Sequence, residues 1–180
     1  MRPPLDLQPV LRGALVTLEP LRAEDFEALH AVAADPLIWA QHPQHDRHER
    51  AVFTRFFTEA LASGGAFVVR DTTDGRIIGS TRFAGLDPVR GEVEIGWTFL
   101  ARTHWGGRWN HEMKRLMLDH VLPPLERVVF VVGAHNLRSQ RALAKIGAVR
   151  SERPGPRLDV PDHVQFEITC AMHRGGGGGR

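Results

Sequence analysis

The sequence predicts an α/β (α+β) domain: one mixed sheet with helices on both sides, in the order β-α-α-β-β-β-α-β-α-β-β. Three observations lead there. Apolar runs with a period of two alternate along the chain with stripes at helical spacing. Asp74-Gly75 separates two such runs in the manner of a hairpin turn. The chain has 180 residues, 42% apolar and 24% charged, which suits one core and argues against two. Residues 1–11 read as a lead-in and 12–173 as a single domain. Residues 174–180 (RGGGGGR) read as a flexible tail, because its glycines do not repay the entropy of being ordered.

Taken in order, the first strand is expected at 14–19. A helix follows at 23–33, with Phe26, Leu29 and Ala33 at helical spacing. Asp46 and Glu49 form a capping-box-like pair ahead of a second helix. Its apolar face is Phe53, Phe56, Phe57, Ala60 and Leu61, and Gly64-Gly65 stops it. Strands at 66–70 and 76–84 make the hairpin. A third strand at 92–100 places Glu92, Glu94, Gly96 and Thr98 on one face and Val93, Ile95, Trp97 and Phe99 on the other. After a loop comes a helix from about 109 to 122, with Trp109, Met113, Leu116, Met117 and Val121 as its stripe and Pro123-Pro124 as its end. A β-branched strand at 127–132 leads to Asn136, the cap of a helix that Gly147 terminates. Strands at 148–152 and 163–172 close the chain.

Composition removes several function classes. No run approaches ~20 apolar residues, so nothing spans a bilayer as a helix. Early prolines and Asp6 interrupt what a signal peptide would keep apolar. A cytoplasmic protein is the default expectation. Lys+Arg is 23 against 21 for Asp+Glu, a net charge of +2. The pI near 9.3 reflects arginine. Lys114 and Lys145 are the only lysines. With no basic stripe or arm, nucleic-acid binding is not expected. The lone Cys170, placed in the last strand, reads as a buried structural thiol and not a nucleophile. Phosphate-loop, dinucleotide, nucleophile-elbow and CxxC motifs are absent. His111-Glu112 opens like a zinc helix, but residue 115 is arginine. His42, His45 and His48 read as loop residues, so no metal is expected.

The informative stretch is the strand at 92–100, the loop 101–108 and the helix after it. A glycine turn between strand and helix exposes unpaired backbone N–H groups. With the helix dipole these suit a phosphate or pyrophosphate, and Arg102, His104 and Arg108 add positive charge.

The succession EVEIGWTFLARTHWGGRWNHEMKRLML, then VVFVVGAHNLRSQRALAKIGA, resembles the GCN5-related N-acetyltransferase (GNAT) superfamily, and more narrowly its RimJ/RimL-like branch. The EIG strand, the WG turn, the helix start Asn110-x-Glu112-x-Lys114 and the NxxSxRAL-x-KIGA helix carry it. With the opening LEPL and two helices it spans roughly residues 12–172. It implies a mostly antiparallel sheet and transfer of an acetyl group from acetyl-CoA to a primary amine, without metal. The backbone of Trp97, Thr98, Phe99 and Leu100 would hold the pantetheine arm and polarise the thioester. Trp105, Gly106, Gly107, Arg108, Trp109 and Asn110 would hold the pyrophosphate, and Asn136 and Ser139 would meet the cofactor arm. Here the family's second loop glycine is Arg108 and its final small residue is Asn110.

The same resemblance points to Glu94 as the base that deprotonates the acceptor, with Glu92 as the alternative two residues away. The chain has no tyrosine to protonate the departing thiolate, and Ser139 is the candidate for that place. The acceptor would sit between residues 36–48 and 153–162, which offer Trp39, histidines, Asp159 and Asp162. A peptide N-terminus is the first choice and an aminoglycoside-like or other small amine the second. A catalytically weak CoA-binding module is the alternative of a different class. Monomer and homodimer stay open.

Overall fold

In the computed structural model, which describes residues 5–155 and 161–176, the described strands form one sheet of eight, ordered β1-β2-β3-β4-β5-β6-β8-β7. They are β1 (Leu11–Arg12), β2 (Val16–Pro20), β3 (Ala66–Asp71), β4 (Ile77–Asp87), β5 (Glu92–Leu100), β6 (Arg127–Gly133), β7 (Val149–Arg150) and β8 (His163–Thr169). Every neighbouring pair is antiparallel except β5 and β6. A parallel pair needs a crossover, and α4 (Arg108–Val121) supplies it. On the other face lie α1 (Phe26–Ala33), the single turn α2 (Pro36–Trp39) and α3 (Arg50–Ala62). Helix α5 (Leu137–Lys145) joins β6 to β7, and α6 (Cys170–Gly176) ends the described chain. No described helix is long and apolar enough to cross a membrane.

Two apolar layers result. Val16, Phe67, Phe83, Val93, Ile95, Met113, Met117 and Val128 pack between sheet and α4. Leu29, Trp39, Phe53, Phe56, Phe57, Val68 and Phe99 pack between sheet and the α1–α3 layer. At about 25 cal/mol per Å2 of apolar surface removed from water, such burial dominates the stability of the fold.

Several expected boundaries move. Glu49, and not Asp46, is the N-cap of α3; the Asp46 carbonyl instead accepts the Glu49 N–H at 2.9 Å, so the capping box does not form. The first helix begins as a 3-10 turn, Ala23–Asp25, whose Asp25 carboxylate accepts the Arg22 N–H. The last strand stops at Thr169, whose hydroxyl accepts the Met172 N–H at 3.3 Å and so starts a helix. Cys170 therefore opens α6, half-buried, outside any strand. Two expectations hold closely: Asn136 Oδ1 accepts the Ser139 N–H at 3.2 Å, and Gly147, at φ +84°, ends α5.

The main correction concerns β5. Ser80 pairs with Phe99 and Arg82 with Gly96, so β5 carries one extra residue opposite Thr81, and Trp97 adopts φ +51°. A bulge shifts the side-chain alternation by one. Glu94 and Gly96 therefore share a face with Phe99, toward α1–α3, while Val93 and Ile95 share theirs with Thr98 and Leu100, toward α4. Strict alternation had joined Gly96 to Thr98 and Ile95 to Phe99.

Candidate functional site

Beyond the Glu94–Val129 pair, β5 and β6 no longer hydrogen-bond. The edge of β5 from Ile95 to Leu100 is left without a strand partner there, and a cavity of about 800 Å3 opens between it and β6. That volume lies in the range of small-molecule sites, ~300–1,000 Å3. Its walls take in the 38–47 segment, the glycine turn with the start of α4, the start of α5, and His163.

The glycine turn is built by backbone conformation. Gly106 (φ +103°) and Gly107 (φ +123°) sit where side chains are strained, and a Cβ on either would meet only open space. Gly107 is the N-cap, so Arg108 already has helical geometry and needs no glycine. The first intrahelical bond runs from the His111 N–H to the Gly107 carbonyl at 2.8 Å. The N–H groups of Arg108, Trp109 and Asn110 have no acceptor among the described residues, and the positive end of the α4 dipole adds to them. The start of α5 differs. The Arg138 N–H donates to Gln41 Oε1 at 3.0 Å and the Ser139 N–H to Asn136, so side chains already satisfy it.

Most of the residues expected to bind cofactor do line the cavity: Trp97, Thr98, Phe99, Leu100, Trp105, Gly106, Gly107, Asn110, Asn136 and Ser139. Arg108 and Trp109 do not. The Arg108 guanidinium lies 5.8 Å from the Trp109 ring, and Trp109 packs edge-on against His104. The cationic wall comes from residues that spacing did not single out. Arg138 stacks 4.2 Å over Trp105 and donates to the Ile38 carbonyl at 2.6 Å, with Arg141 and Lys145 further along α5. Trp105 is itself fixed by its indole N–H, which donates to the Leu100 carbonyl at 2.9 Å.

Glu94 is 1% exposed, and its Oε1 lies 3.1 Å from where a Cβ on Gly96 would stand. It therefore sits against the one residue of β5 whose missing side chain leaves it room, and Gly96 itself lines the cavity. Glu92 lies in a different setting. Arg127 Nε donates to it at 2.8 Å, and Arg127 Nη1 to Glu167 at 2.6 Å, in a buried cluster away from the cavity lining.

Lys114, which the resemblance names only within the helix-start motif, falls on the buried face of α4 with Met113, Met117, Leu118 and Val121. It is 3% exposed and lines the cavity floor, donating to Thr98 Oγ1 at 2.6 Å and Thr81 Oγ1 at 3.3 Å. Burial alone pulls its amine down to about 7. In the acceptor segments, Trp39 is core, its indole N–H held by the Ala33 carbonyl at 2.7 Å. His42 lines the cavity, and burial, reinforced by the Arg47 charge, pulls it to about 4, leaving it neutral at pH 7. Asp162 uses its carbonyl to hold the Ala134 N–H at 2.7 Å, and Asp159 lies outside the described residues. No group of three metal-ligating side chains converges among the described residues.

The chemistry on offer is that of a ligand with a diphosphate, at the free N–H groups of α4, and an amide-bearing arm, along the open edge of β5. The residues present fit CoA on those observations. Comparison with known proteins points the same way. The chain is similar to a GCN5-related N-acetyltransferase from Brucella melitensis, with 21% identity over 92% of this chain and 80% of that one and a TM-score of 0.76. An acetyltransferase from Agrobacterium tumefaciens str. C58 gives 24%, 89%, 94% and 0.68. A spermidine N-acetyltransferase from Vibrio cholerae, in complex with CoA and spermine, gives 15%, 90%, 99% and 0.67. These likenesses establish the fold. No curated protein matches. The family model described as acetyltransferase (GNAT) domain matches residues 16–149, most of the chain. An acetyl-CoA-dependent N-acetyltransferase follows, and the chain belongs to the GNAT acetyltransferase family.

Proposed function

We propose that the protein acetylates a protein or peptide N-terminal amine by direct transfer, in the manner of the RimJ/RimL-like branch and in the cytoplasm. The observation that carries the direct-transfer part is the junction at Gly96: the open edge of β5 starts one residue before it, at Ile95, and the Glu94 carboxylate lies against Gly96. An amine arriving as ammonium must lose a proton before it attacks, and we assign that proton to Glu94, which lies behind the cavity lining at Gly96 and takes it through a water. The α4 N-terminus holds the phosphates, the β5 backbone orients the thioester and polarises its carbonyl, and Ser139 at the cavity rim hydrogen-bonds near the sulfur. The protein supplies position and charge, which is what an already activated acyl donor needs.

The lining supports this acceptor class. Among the described lining residues there is no carboxylate, whereas Arg47 and Arg138 both line the cavity. A polycationic acceptor would meet like charge there; a peptide end with one ammonium group would not. The test is free-CoA release from acetyl-CoA over a panel of peptides with varied first residues, alongside spermidine and an aminoglycoside. Turnover should concentrate on the peptides. Preference for spermidine or the aminoglycoside would move the protein to the small-amine class. CoA binding by calorimetry with no turnover on any amine would make it a binding module.

A further inference from the structure

Burying an ammonium group beside hydroxyls alone is costly, since neither partner neutralises it. Lys114 is in that position. Its partners are Thr98 on β5 and Thr81 on β4, which also lie 2.8 Å from each other. The other titratable residues lining the same cavity are His42, His104, His111 and His163, Arg47, Arg138 and Arg141, and Lys145; none is acidic. The choice of residue also points to chemistry. Of 23 basic side chains in the sequence only two are lysines, and one of them stands here, where an arginine could not give up its proton.

We propose that Lys114 is the catalytic acid of acetyl transfer, donating a proton from Nζ to the CoA thiolate as it leaves. The inference rests on the reading that the thioester lies along the open edge of β5. Because the bulge at Trp97 sends Glu94 and Thr98 to opposite faces, the strand separates a proton acceptor on the α1–α3 side from a proton donor on the α4 side. Both are required. The amine, whose ammonium proton has already passed through Glu94 to solvent, bonds through nitrogen to the carbonyl carbon and gives its second proton to the emptied Glu94 carboxylate. The carbon–sulfur bond then breaks with its electron pair going to sulfur, and sulfur takes a proton from the Lys114 ammonium. The neutral amine of Lys114 regains a proton from solvent, to which Glu94 returns the one it took, so protons and charge balance. Thr98 and Thr81 hold Nζ in place, and Ser139, too weak an acid to supply a proton alone, hydrogen-bonds from across the cavity. A donor that ionises near pH 7 is well matched to this task.

The experiment uses the full chain, acetyl-CoA and the best peptide of the panel, with kcat measured from pH 5.5 to 9. In the wild type the protonated lysine is the active form, so kcat should fall as pH rises above about 7. Lys114→Met should lower kcat ~100-fold at pH 7 and erase that basic limb, while calorimetric CoA affinity changes little. Lys114→Arg, which keeps the charge but does not release a proton, should fail to restore either. Full activity in the arginine variant, or an unchanged basic limb in the methionine variant, would overturn the proposal and leave Lys114 a positional charge. Absence of CoA binding in the wild type would instead overturn the reading beneath it. Loss of folding does not cloud the result, because methionine suits the apolar surroundings of Met113 and Met117 and the two threonine hydroxyls can still bond to each other.

Discussion

Among the buried cations beside β5, Arg127 and Lys114 are treated in opposite ways. Arg127, beside the start of the strand, lies directly across from Glu92 in the parallel register. It is bonded to Glu92 and Glu167 and reaches the Pro154 carbonyl. Its environment is closed: although burial opposes charge, hydrogen bonds from Arg127 and Ser151 hold Glu167 below its ordinary value. Lys114, under the far half of the strand, has hydroxyls and an opening to a cavity. One cation is neutralised and braces the sheet where β5 and β6 still pair. The other is left titratable where they part. A buried charge marks function when the fold could have neutralised it and does not.

The same kind of substitution should therefore act with opposite sign at the two places. Arg127→Met removes a cation from between two buried carboxylates, and breaking such a pair typically costs ~3–5 kcal/mol. Urea unfolding should show that loss, with kcat per folded molecule unchanged. A loss under ~1 kcal/mol would mean the carboxylates take up protons or water at little cost.

Lys114→Met should instead stabilise, by about 2–4 kcal/mol at pH 7, since an unfolded lysine is protonated at no cost and the buried one is held near its titration point. The sign follows from proton counts. Between about 7, the folded value, and 10.5, the ordinary one, the unfolded chain binds more protons, so wild-type stability from this residue rises with pH through that window. Below pH 7 the full penalty is present. Denaturant midpoints from pH 6 to 10 should climb in the wild type relative to the methionine variant. Parallel profiles would show that Lys114 is solvated after all.

Glu94 is the charge whose class the comparison leaves to be decided. It is as buried as Glu92 and, like it, absent from the cavity lining, but its carboxylate lies beside Gly96, which does line the cavity. If it belongs with Lys114, Glu94→Gln should lower kcat ~100-fold or more and shift the acid limb of the pH profile, with stability little altered. If it belongs with Arg127, stability should fall and the profile should keep its shape. At the cavity's other end, Asn110→Asp places a negative charge among the free N–H groups of α4. It should weaken CoA by ~1–3 kcal/mol, measured by calorimetry. Unchanged affinity would remove the α4 N-terminus from phosphate binding.

How much of this was readable from residues divides along physical lines. Strand 92–100, the Asn136 cap and the Gly147 stop were legible because each is fixed by neighbours in sequence. The glycine turn was legible too, and its two glycines answer to positive φ. The faces of β5 were not, because a bulge depends on how β4 sets its register and no local pattern announces it. Lys114 was hidden by a rule that otherwise works. Helical spacing picks out Trp109, Met113, Leu116, Met117 and Val121 and passes over position 114, although it lies on the same buried face. Its meaning comes from Thr81 and Thr98, both distant in sequence. The ion pair of Glu92 was illegible for the same reason, since its partner Arg127 lies 35 residues away.

Ser139 is the smallest and last of these tests. It stands in the first turn of α5, three residues past Asn136, with its N–H taken by that cap and its side chain at the cavity rim. A hydroxyl there can hydrogen-bond a departing thiolate, which at pKa ~8.5 or somewhat higher leaves fairly well unaided. It therefore contributes far less than a titrating ammonium group. Ser139→Ala should lower kcat by about 10-fold with CoA affinity nearly constant, and the basic limb assigned to Lys114 should remain in place. A drop confined to CoA binding would make Ser139 a cofactor-positioning residue. A drop near 100-fold with loss of the basic limb would transfer the acid's role from Lys114 to this side of the cavity.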